Sequence, residues 1–421
     1  MPQERLNVVE ETFPLQVNFC NTCTHLQLSH VVSPETLFRD YVYVSGTSHV
    51  MVKHLKDYAE QAVQYTGITQ GGLVFEFGSN DGTLLGHFKE MGYQVLGMDP
   101  ATNLAQEATA RGLPTIPDFF GAESAEKVAI EHGKAQLICS NHCCAHIDDL
   151  RGVIRGVSEL LAPEGIWVLE VGYLLSVFQN NLFDTIYHEH VDFHSVVPIQ
   201  KVCECLGLKL LNAEMNSIQG GSLRCFVGWP NACSLIKNGE ENISELVRRE
   251  ISAGLNKAVT FHRWVRFISH FAPHSLVQTK PSVLPLTIPK FPTFTQSESI
   301  GNTRDEVSAL LAGLKSRGKS VVGYGAPAKA TTLMYHFRLT ADDINYVVDD
   351  NPLKRGLFTP GLHIPVEDPA RLYEDTPDYV LILAWNFADS IIAKHAAFFK
   401  AGGRFIVPLP DLRIVSKVNY M

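Results

Sequence analysis

From Leu73 onward, short apolar runs alternate with amphipathic stretches: LVFEFG, TLLGHFKEMG, QVLGMDP, NLAQEATARG, AQLICSN, LRGVIRGVSELLAPEG and IWVLEVGY. Apolar runs of this length predict strands buried on both faces, and the helical period between them predicts covering helices. The region therefore reads as α/β, with a parallel sheet. Before it, HVMVKHLKDYAEQAV predicts a lead-in helix, and after it a long helix is expected over residues 243–267. The pattern then fails. APHSLVQTKPSVLPLTIPKFPTFTQSES, rich in Pro, Ser and Thr, has no helical period and reads as a linker, an exposed loop or an unspliced gene segment. Alternation restarts with VSALLAGLKSRG, KSVVGYGAPAK, INYVVDDNP, YVLILAW and GRFIVPLP, a second and shorter doubly wound unit. The expected division is an N-terminal lobe and lead-in over 1–60, a first α/β domain over 61–240, a helix with the Pro/Ser/Thr-rich insertion over 241–300, and a C-terminal Rossmann-like domain over 301–421.

Composition narrows the function more than the fold. A chain of 421 residues suits two or three domains, and shares of 45% hydrophobic and 19% charged are those of a globular protein. Nothing approaches the run of about 18 apolar residues that spans a membrane, and MPQERLNVVEE carries no apolar signal segment. A soluble, cytoplasmic protein without a membrane partner is expected. A net charge of -9 argues against a nucleic-acid partner, whose phosphates need a basic face. Nine cysteines are an odd number, and Cys139, Cys203 and Cys225 sit inside apolar runs, so reduced buried thiols are expected rather than a disulfide scaffold.

Four motifs carry candidate chemistry. The first is FEFGSNDGTLL, where a strand gives way to a helix. Gly78 and Gly82 remove side chains where backbone must approach a ligand, Glu76 begins the turn, and Ser79, Asn80 and Asp81 lie in it. The spacing is G-x-x-x-G, which does not suit a pyrophosphate. Asp99, followed by Pro100 in GMDP, ends the next strand, where an acid takes both ribose hydroxyls. Together these favour an adenosyl ligand; a tight turn and a helix cap are the plain structural alternative. Asn141, after the fourth strand, and His146 beyond it either approach the other end of that ligand or finish the turn.

The second motif is Tyr187, His188, Glu189 and His190, in IYHEH. Histidine, near neutrality without perturbation, suits the removal of a proton, and a phenol or imidazole donor suits holding a developing anion. The third is GYGAPAK, in which Gly323, Gly325 and Ala328 follow G-x-G-x-x-A around Tyr324, with Lys329 next and Asp349 about 20 residues on. On pattern alone this is a nicotinamide fingerprint, and it keeps an NAD(P)-dependent sugar oxidoreductase open. The fourth is Cys20 and Cys23, a CxxC that supplies half of a tetrahedral zinc site. Cys143 and Cys144 belong to the strand region and are poor substitutes for the other half.

Taken together, FEFGSNDGTLL, GMDPATNLA, FDTIYHEHVDF, GYGAPAKATTL and VDDNPLKRGLFTPGLHIP resemble the sugar C-methyltransferases of deoxysugar biosynthesis, over most of the chain from Phe13 to Pro410. The resemblance implies a small N-terminal zinc lobe, a central class I methyltransferase domain binding S-adenosylmethionine, and a C-terminal Rossmann-like domain that helps hold a nucleotide sugar. It implies that His190 is the general base, with Tyr187 and Glu189 beside it and His188 the weaker candidate. It also implies that Tyr41 and Tyr43, in DYVYVSGTS, line the substrate pocket, and that Lys329 lies near phosphate, with Gly323, Tyr324 and Gly325 on the substrate side. In the family a second CxxC lies upstream of the first; here it is missing, so either the start is misassigned or the lobe has lost its metal. The favoured reaction is C-methylation alpha to a keto group on a nucleotide-linked deoxysugar. A protein that kept the fold without turnover is a third possibility.

Overall fold

A computed structural model describes residues 1–232, 238–261 and 295–420. The chain divides into two compact units, one formed by Val17–Gln179 with His188–Ala258, the other by Met1–Gln16, Asn180–Tyr187 and Val259–Met421.

The first unit carries strands β1 (Val17–Phe19), β2 (Leu26–Leu28), β3 (Leu73–Phe77), β4 (Gln94–Met98), β5 (Thr115–Ile116), β6 (Ala135–Asn141), β7 (Leu161–Gly172), β8 (Asp192–Phe193), β9 (Lys209–Asn216) and β10 (Ser222–Gly228). Among the described residues, seven of these form one sheet in the order β5-β4-β3-β6-β7-β10-β9, and β1, β2 and β8 form another. In the larger sheet β5 to β7 run parallel through β4, β3 and β6, while β10 is antiparallel to both β7 and β9. This is the class I methyltransferase arrangement that the sequence led us to expect.

The sheet forms because its central strands are apolar on both faces: Val74, Phe75, Leu137, Ile138 and Val168 are fully buried. One face is closed by the helix His49–Thr66, whose Leu55, Tyr58, Ala59 and Ala62 recur at the 3–4 residue spacing of a helical stripe and pack into the same core. Each such buried side chain stabilises the fold by roughly 1.5–3 kcal/mol for its larger members. The helix starts where the Ser48 side chain accepts from Met51 N–H and stops at Gly67, at φ +60. Tyr58 adds a directed contact, donating to the Val168 carbonyl at 2.7 Å.

The second unit carries β11 (Val321–Tyr324), β12 (Val347–Val348), β13 (Val366–Glu367), β14 (Tyr379–Ile382), β15 (Arg404–Val407) and β16 (Arg413–Val415). Their order is β13-β12-β11-β14-β15-β16, parallel except for β16. The order reverses direction between β11 and β14. Within this unit Glu10 accepts from Gly361 N–H and His363 Nε2, which ties the first residues to the sheet.

The first helical segment in the region where a helix is expected over 243–267 ends early, helix resumes over 258–261, and residues 262–267 lie outside the described residues. That first segment spans Gly239–Ser252 and the chain then turns, with Gly254 at φ +78, a conformation incompatible with a continuing right-handed helix. Residues 262–294, most of the Pro/Ser/Thr-rich stretch, lie outside the described residues. The helix Thr295–Ser316 begins within the last residues of the stretch expected to be aperiodic. Among the described residues no helix is long and apolar enough to cross a membrane.

Candidate active site

Three adjacent strands, β4, β3 and β6, present polar groups at their carboxyl ends. Glu76 is the penultimate residue of β3, Asp99 follows β4, and Asn141 ends β6. All three approach the place where open parallel sheets bind ligands. Glu76 is buried, and burial, reinforced by the charges of Asp81 and Asp99, pushes its carboxyl well above the usual range. Asp99 is raised in the same way by burial, against backbone N–H groups of Ala101 and Asn80 that donate to it at 2.9 and 2.7 Å. Among the described residues Glu76 Oε2, Ser79 Oγ and both side-chain polar atoms of Asn141 are buried without a hydrogen-bond partner. Unpartnered buried polar atoms are costly, by about 1–3 kcal/mol each, unless a ligand satisfies them.

The loop between β3 and the next helix, Thr83–Glu90, serves two ends. Gly78 has φ +66, and a Cβ there would come within 2.5 Å of Cys143 Cβ, so both conformation and space demand glycine. Gly82, at φ +76, opens the helix. Asn80 and Asp81 spend their side chains on the neighbouring segment: Asn80 accepts from Ser45 N–H at 2.9 Å and donates to the Tyr43 carbonyl at 3.0 Å, and Asp81 accepts from Gly46 N–H at 3.2 Å and from the Thr83 hydroxyl at 2.7 Å. They hold the Tyr43–Gly46 stretch in place. Pro100 follows Asp99 and fixes the backbone entering the helix Thr102–Ala110.

A second constellation lies in the same unit. Tyr41 donates to Glu189 Oε2 at 2.9 Å. The rings of Tyr41 and Tyr43 lie 6.5 Å apart, and Phe38 stands edge-on to both Tyr41 and His146 at 5.6 and 5.5 Å. His146 in turn meets His190 edge-on at 5.0 Å between ring centroids. Burial pulls the His146 imidazole down to about 4, so it is neutral at neutral pH. Its Nδ1 is buried without a partner among the described residues. Thus Tyr41, Glu189 and His190, distant in sequence, come together, and His146 joins them. His188 is part-buried in the same segment; Tyr187 ends the preceding segment, which belongs to the other unit.

Beside this lies a feature with no signal in the sequence. Glu170, fully buried in β7, accepts from His54 Nε2 at 2.5 Å, Asn216 Nδ2 at 2.8 Å and Arg224 Nε at 2.8 Å, with His142 Nε2 at 3.4 Å. Burial alone would raise its carboxyl, but the hydrogen bonds of His142 and His54 and the Arg224 charge hold it well below the usual range. Its four partners come from four separate segments, which is why no local spacing announces it.

In the other unit GYGAPAK has structural reasons for its glycines. A Cβ on Gly323 would meet Val347 Cγ2 at 2.8 Å, and one on Gly325, at φ +87, would collide with Ala384 Cβ. Asp349, the acid of the nicotinamide pattern, is committed to its own turn: it accepts from Ala326 and Asn351 N–H at 2.7 and 2.9 Å and from Lys354 Nζ at 3.2 Å. Tyr324 donates to Asp350 Oδ1 at 3.0 Å and meets His395 Nε2 at 2.8 Å. Lys329 pairs with Asp184 Oδ2 at 3.0 Å and donates to Asn386 Oδ1 at 3.2 Å.

Cys20 and Cys23 flank the turn between β1 and β2, and Cys20 N–H donates to the His25 carbonyl at 2.9 Å. Among the described residues no group of three or more His, Cys, Asp or Glu side chains could hold a metal. Two thiols fall short of the four ligands of a structural zinc site, so zinc does not fit the residues present.

A family model described as "Methyltransferase domain" matches residues 51–213, one described as "C-methyltransferase C-terminal domain" matches residues 287–410, and a model for a zinc binding domain matches residues 1–38. The C-methyltransferase NovU of Streptomyces niveus is 35% identical over 407 residues, covering 97% of this chain and 89% of that one. Among solved structures, magnesium protoporphyrin IX methyltransferase (ChlM) from Synechocystis PCC 6803 with bound SAH is similar with a TM-score of 0.34 and 15% identity, over 43% of this chain and 87% of that one. The PH0226 protein from Pyrococcus horikoshii OT3 is similar with a TM-score of 0.37 and 14% identity, over 47% of this chain and 96% of that one. With its methyltransferase sheet, its unpartnered polar atoms at the ends of β3 and β6, and 35% identity to NovU over nearly its whole length, the chain belongs to the S-adenosylmethionine-dependent C-methyltransferases.

Proposed function

We propose that the protein methylates a carbon alpha to a keto group on a small acceptor, a nucleotide-linked deoxysugar. The observation that carries this reading is the gathering of Tyr41, His146, Glu189 and His190 in the unit that also bears Glu76, Ser79, Asp99 and Asn141. S-adenosylmethionine supplies an electrophilic methyl group when bound. Glu76, Ser79, Asp99 and Asn141 would hold it, Asp99 taking the ribose hydroxyls and Gly78 giving the backbone room to approach. The nucleophile must be made from the acceptor, because a carbon next to a ketone has no lone pair to offer.

His190 accepts the alpha proton, and the bonding electrons move into the ketone, leaving charge on the enolate oxygen. A hydrogen-bond donor is needed to stabilise that oxygen. The enolate carbon would then take the methyl group, the new C–C bond forming as the methyl–sulfur bond breaks and its electron pair stays on sulfur to leave S-adenosylhomocysteine, and the proton stays on His190 until water removes it. Tyr41 steadies Glu189, and with it the backbone that carries His190, through the 2.9 Å hydrogen bond. His146, kept neutral by burial, adds no positive charge beside His190 as that ring takes up its proton.

Labelled methyl transfer tests the reading. Purified protein should pass label from adenosylmethionine to a member of a panel of uridine- and thymidine-diphosphate-linked keto-deoxyhexoses, with the product's new C–C bond located by NMR. Reduction of an acceptor by NADPH with no methyl transfer would support the oxidoreductase instead. Absence even of a single turnover would support a fold kept without catalysis.

A further inference from the structure

Doubly wound sheets bind ligands outside the carboxyl ends of the strands, where the strand order reverses. In the second unit that switch lies between β11 and β14. Lys329 follows β11 and Trp385 follows β14, and both turn onto a carboxylate of the protein itself. Trp385 Nε1 donates to Asp184 Oδ2 at 2.6 Å, and Lys329 Nζ meets the same oxygen at 3.0 Å while lying 4.9 Å from the Trp385 ring centroid. The Asp184 side chain has no exposure and that of Lys329 only 15%. The flanking residues are held by the helix Ala330–His336: the Phe183 ring lies 4.2 Å from that of His336, and the Ile186 carbonyl accepts from the Thr332 hydroxyl at 3.5 Å. Phe183, Asp184 and Ile186 are thus held immediately before Tyr187-His188-Glu189-His190.

We propose that Asp184 and Lys329 are positioning residues: the Asp184 carboxylate occupies the ligand crevice of the C-terminal sheet as an internal anion, and Lys329 is its counter-charge rather than a ligand for substrate phosphate. A buried ion pair adds little net stability over an apolar pair of the same shape, because desolvation offsets its attraction; what it does specify is which groups must meet. Here those groups set where the IYHEH segment begins. The carboxylate also fills the role an anionic ligand has in related sheets, so the glycines of GYGAPAK, already required by Val347 and Ala384, need no pyrophosphate to explain them. The proposal rests on the reading that His190 carries the reaction.

The test compares Lys329→Gln, Lys329→Arg and Asp184→Asn in the full chain, with two readouts. One is backbone amide exchange across 183–190, which needs no acceptor. The other is methyl transfer to the keto-deoxyhexose panel. Lys329→Gln should speed exchange in that segment and lower kcat by about 10²-fold, the loss typical of a reacting group displaced by about 1 Å, with little change in acceptor KM. Lys329→Arg should recover most of both. Asp184→Asn should behave like Lys329→Gln; should its buried site prevent folding, Lys329→Gln, at the end of the pair that keeps 15% side-chain exposure, still decides the matter. Unchanged exchange across 183–190 in Lys329→Gln, or a raised acceptor KM with kcat kept, would overturn the proposal. If His190→Ala turned over at the wild-type rate, the functional reading would fail, while the exchange result would still decide whether the pair holds the segment.

Discussion

Tyr41 donates its phenolic hydrogen to Glu189 Oε2 at 2.9 Å, joining residues 148 positions apart. The bond links an N-terminal tyrosine, whose backbone N–H donates to Asn103 Oδ1 and whose carbonyl accepts from Asn103 Nδ2, to the segment that carries the base. Tyr41→Phe removes one hydrogen bond to a carboxylate and little else. Such bonds contribute about 1.5–3 kcal/mol, so kcat should fall roughly 10- to 100-fold. Adenosylmethionine affinity, measured by calorimetry, should stay the same. A variant with full activity would remove Tyr41 from the site.

Asp99 bears on the cofactor alone. Asp99→Ala takes away a carboxylate positioned for the ribose hydroxyls, and adenosylmethionine should bind more weakly by about 1–3 kcal/mol. The variant also frees two backbone N–H groups, those of Asn80 and Ala101, so Asp99→Asn is the gentler control. Equal affinities for wild type and both variants in titration calorimetry would displace the cofactor from this strand end.

His146 makes stability depend on pH in a definite direction. Burial holds its folded value at about 4, below the ordinary value near 6.5. Between those values the unfolded chain binds a proton that the folded chain refuses, so stability declines as pH falls from about 6.5 towards 4, by roughly 1.4 kcal/mol per unit. His194, also lowered to about 4 by burial, adds a similar slope. His146→Gln should therefore lose less stability than wild type between pH 7.5 and pH 5, read as the shift of the urea midpoint. Parallel shifts in the two proteins would mean that His146 is not held neutral.

Much of the fold was legible because its strands are buried on both faces and its helices are amphipathic, which gives each element a distinct period. β5 and β13 escaped because two residues cannot show a period. Gly254 interrupts the long helix, and a lone glycine within an otherwise helical pattern does not announce a stop. Glu76, Gly78, Gly82, Asp99 and Asn141 could be placed at strand ends from the sequence because strand ends and glycines are local features. The Glu170 cluster was not legible, since His54, His142, Asn216 and Arg224 are brought to it only by the tertiary fold. The resemblance implied that Lys329 lies near phosphate; its pairing with Asp184 is a tertiary contact that no local motif announces.

The last prediction concerns His190, and the argument runs from reaction to residue. An acceptor carbon needs a base to become a nucleophile, and a positioned base contributes typically 10²- to 10⁴-fold. An ordinary carboxylate, with a value near 4, is too weak for an alpha proton, and an ordinary phenol, near 10, is still protonated at neutral pH. Glu189 is in any case occupied by Tyr41. Of the two histidines, His190 stands against the buried ring of His146, 5.0 Å between centroids, within the aromatic cluster that reaches through Phe38 to Tyr41. Burial keeps His146 neutral, so it does not repel the charge that His190 acquires. His190→Ala should lower turnover by at least about 10²-fold and leave adenosylmethionine affinity nearly unchanged. Deuterium exchange from solvent into the alpha position of the acceptor isolates the proton step, because it proceeds without methyl transfer. That exchange should be lost in His190→Ala and retained in Asp99→Ala. Wild-type exchange in His190→Ala would move the base to His188, the remaining histidine of the segment.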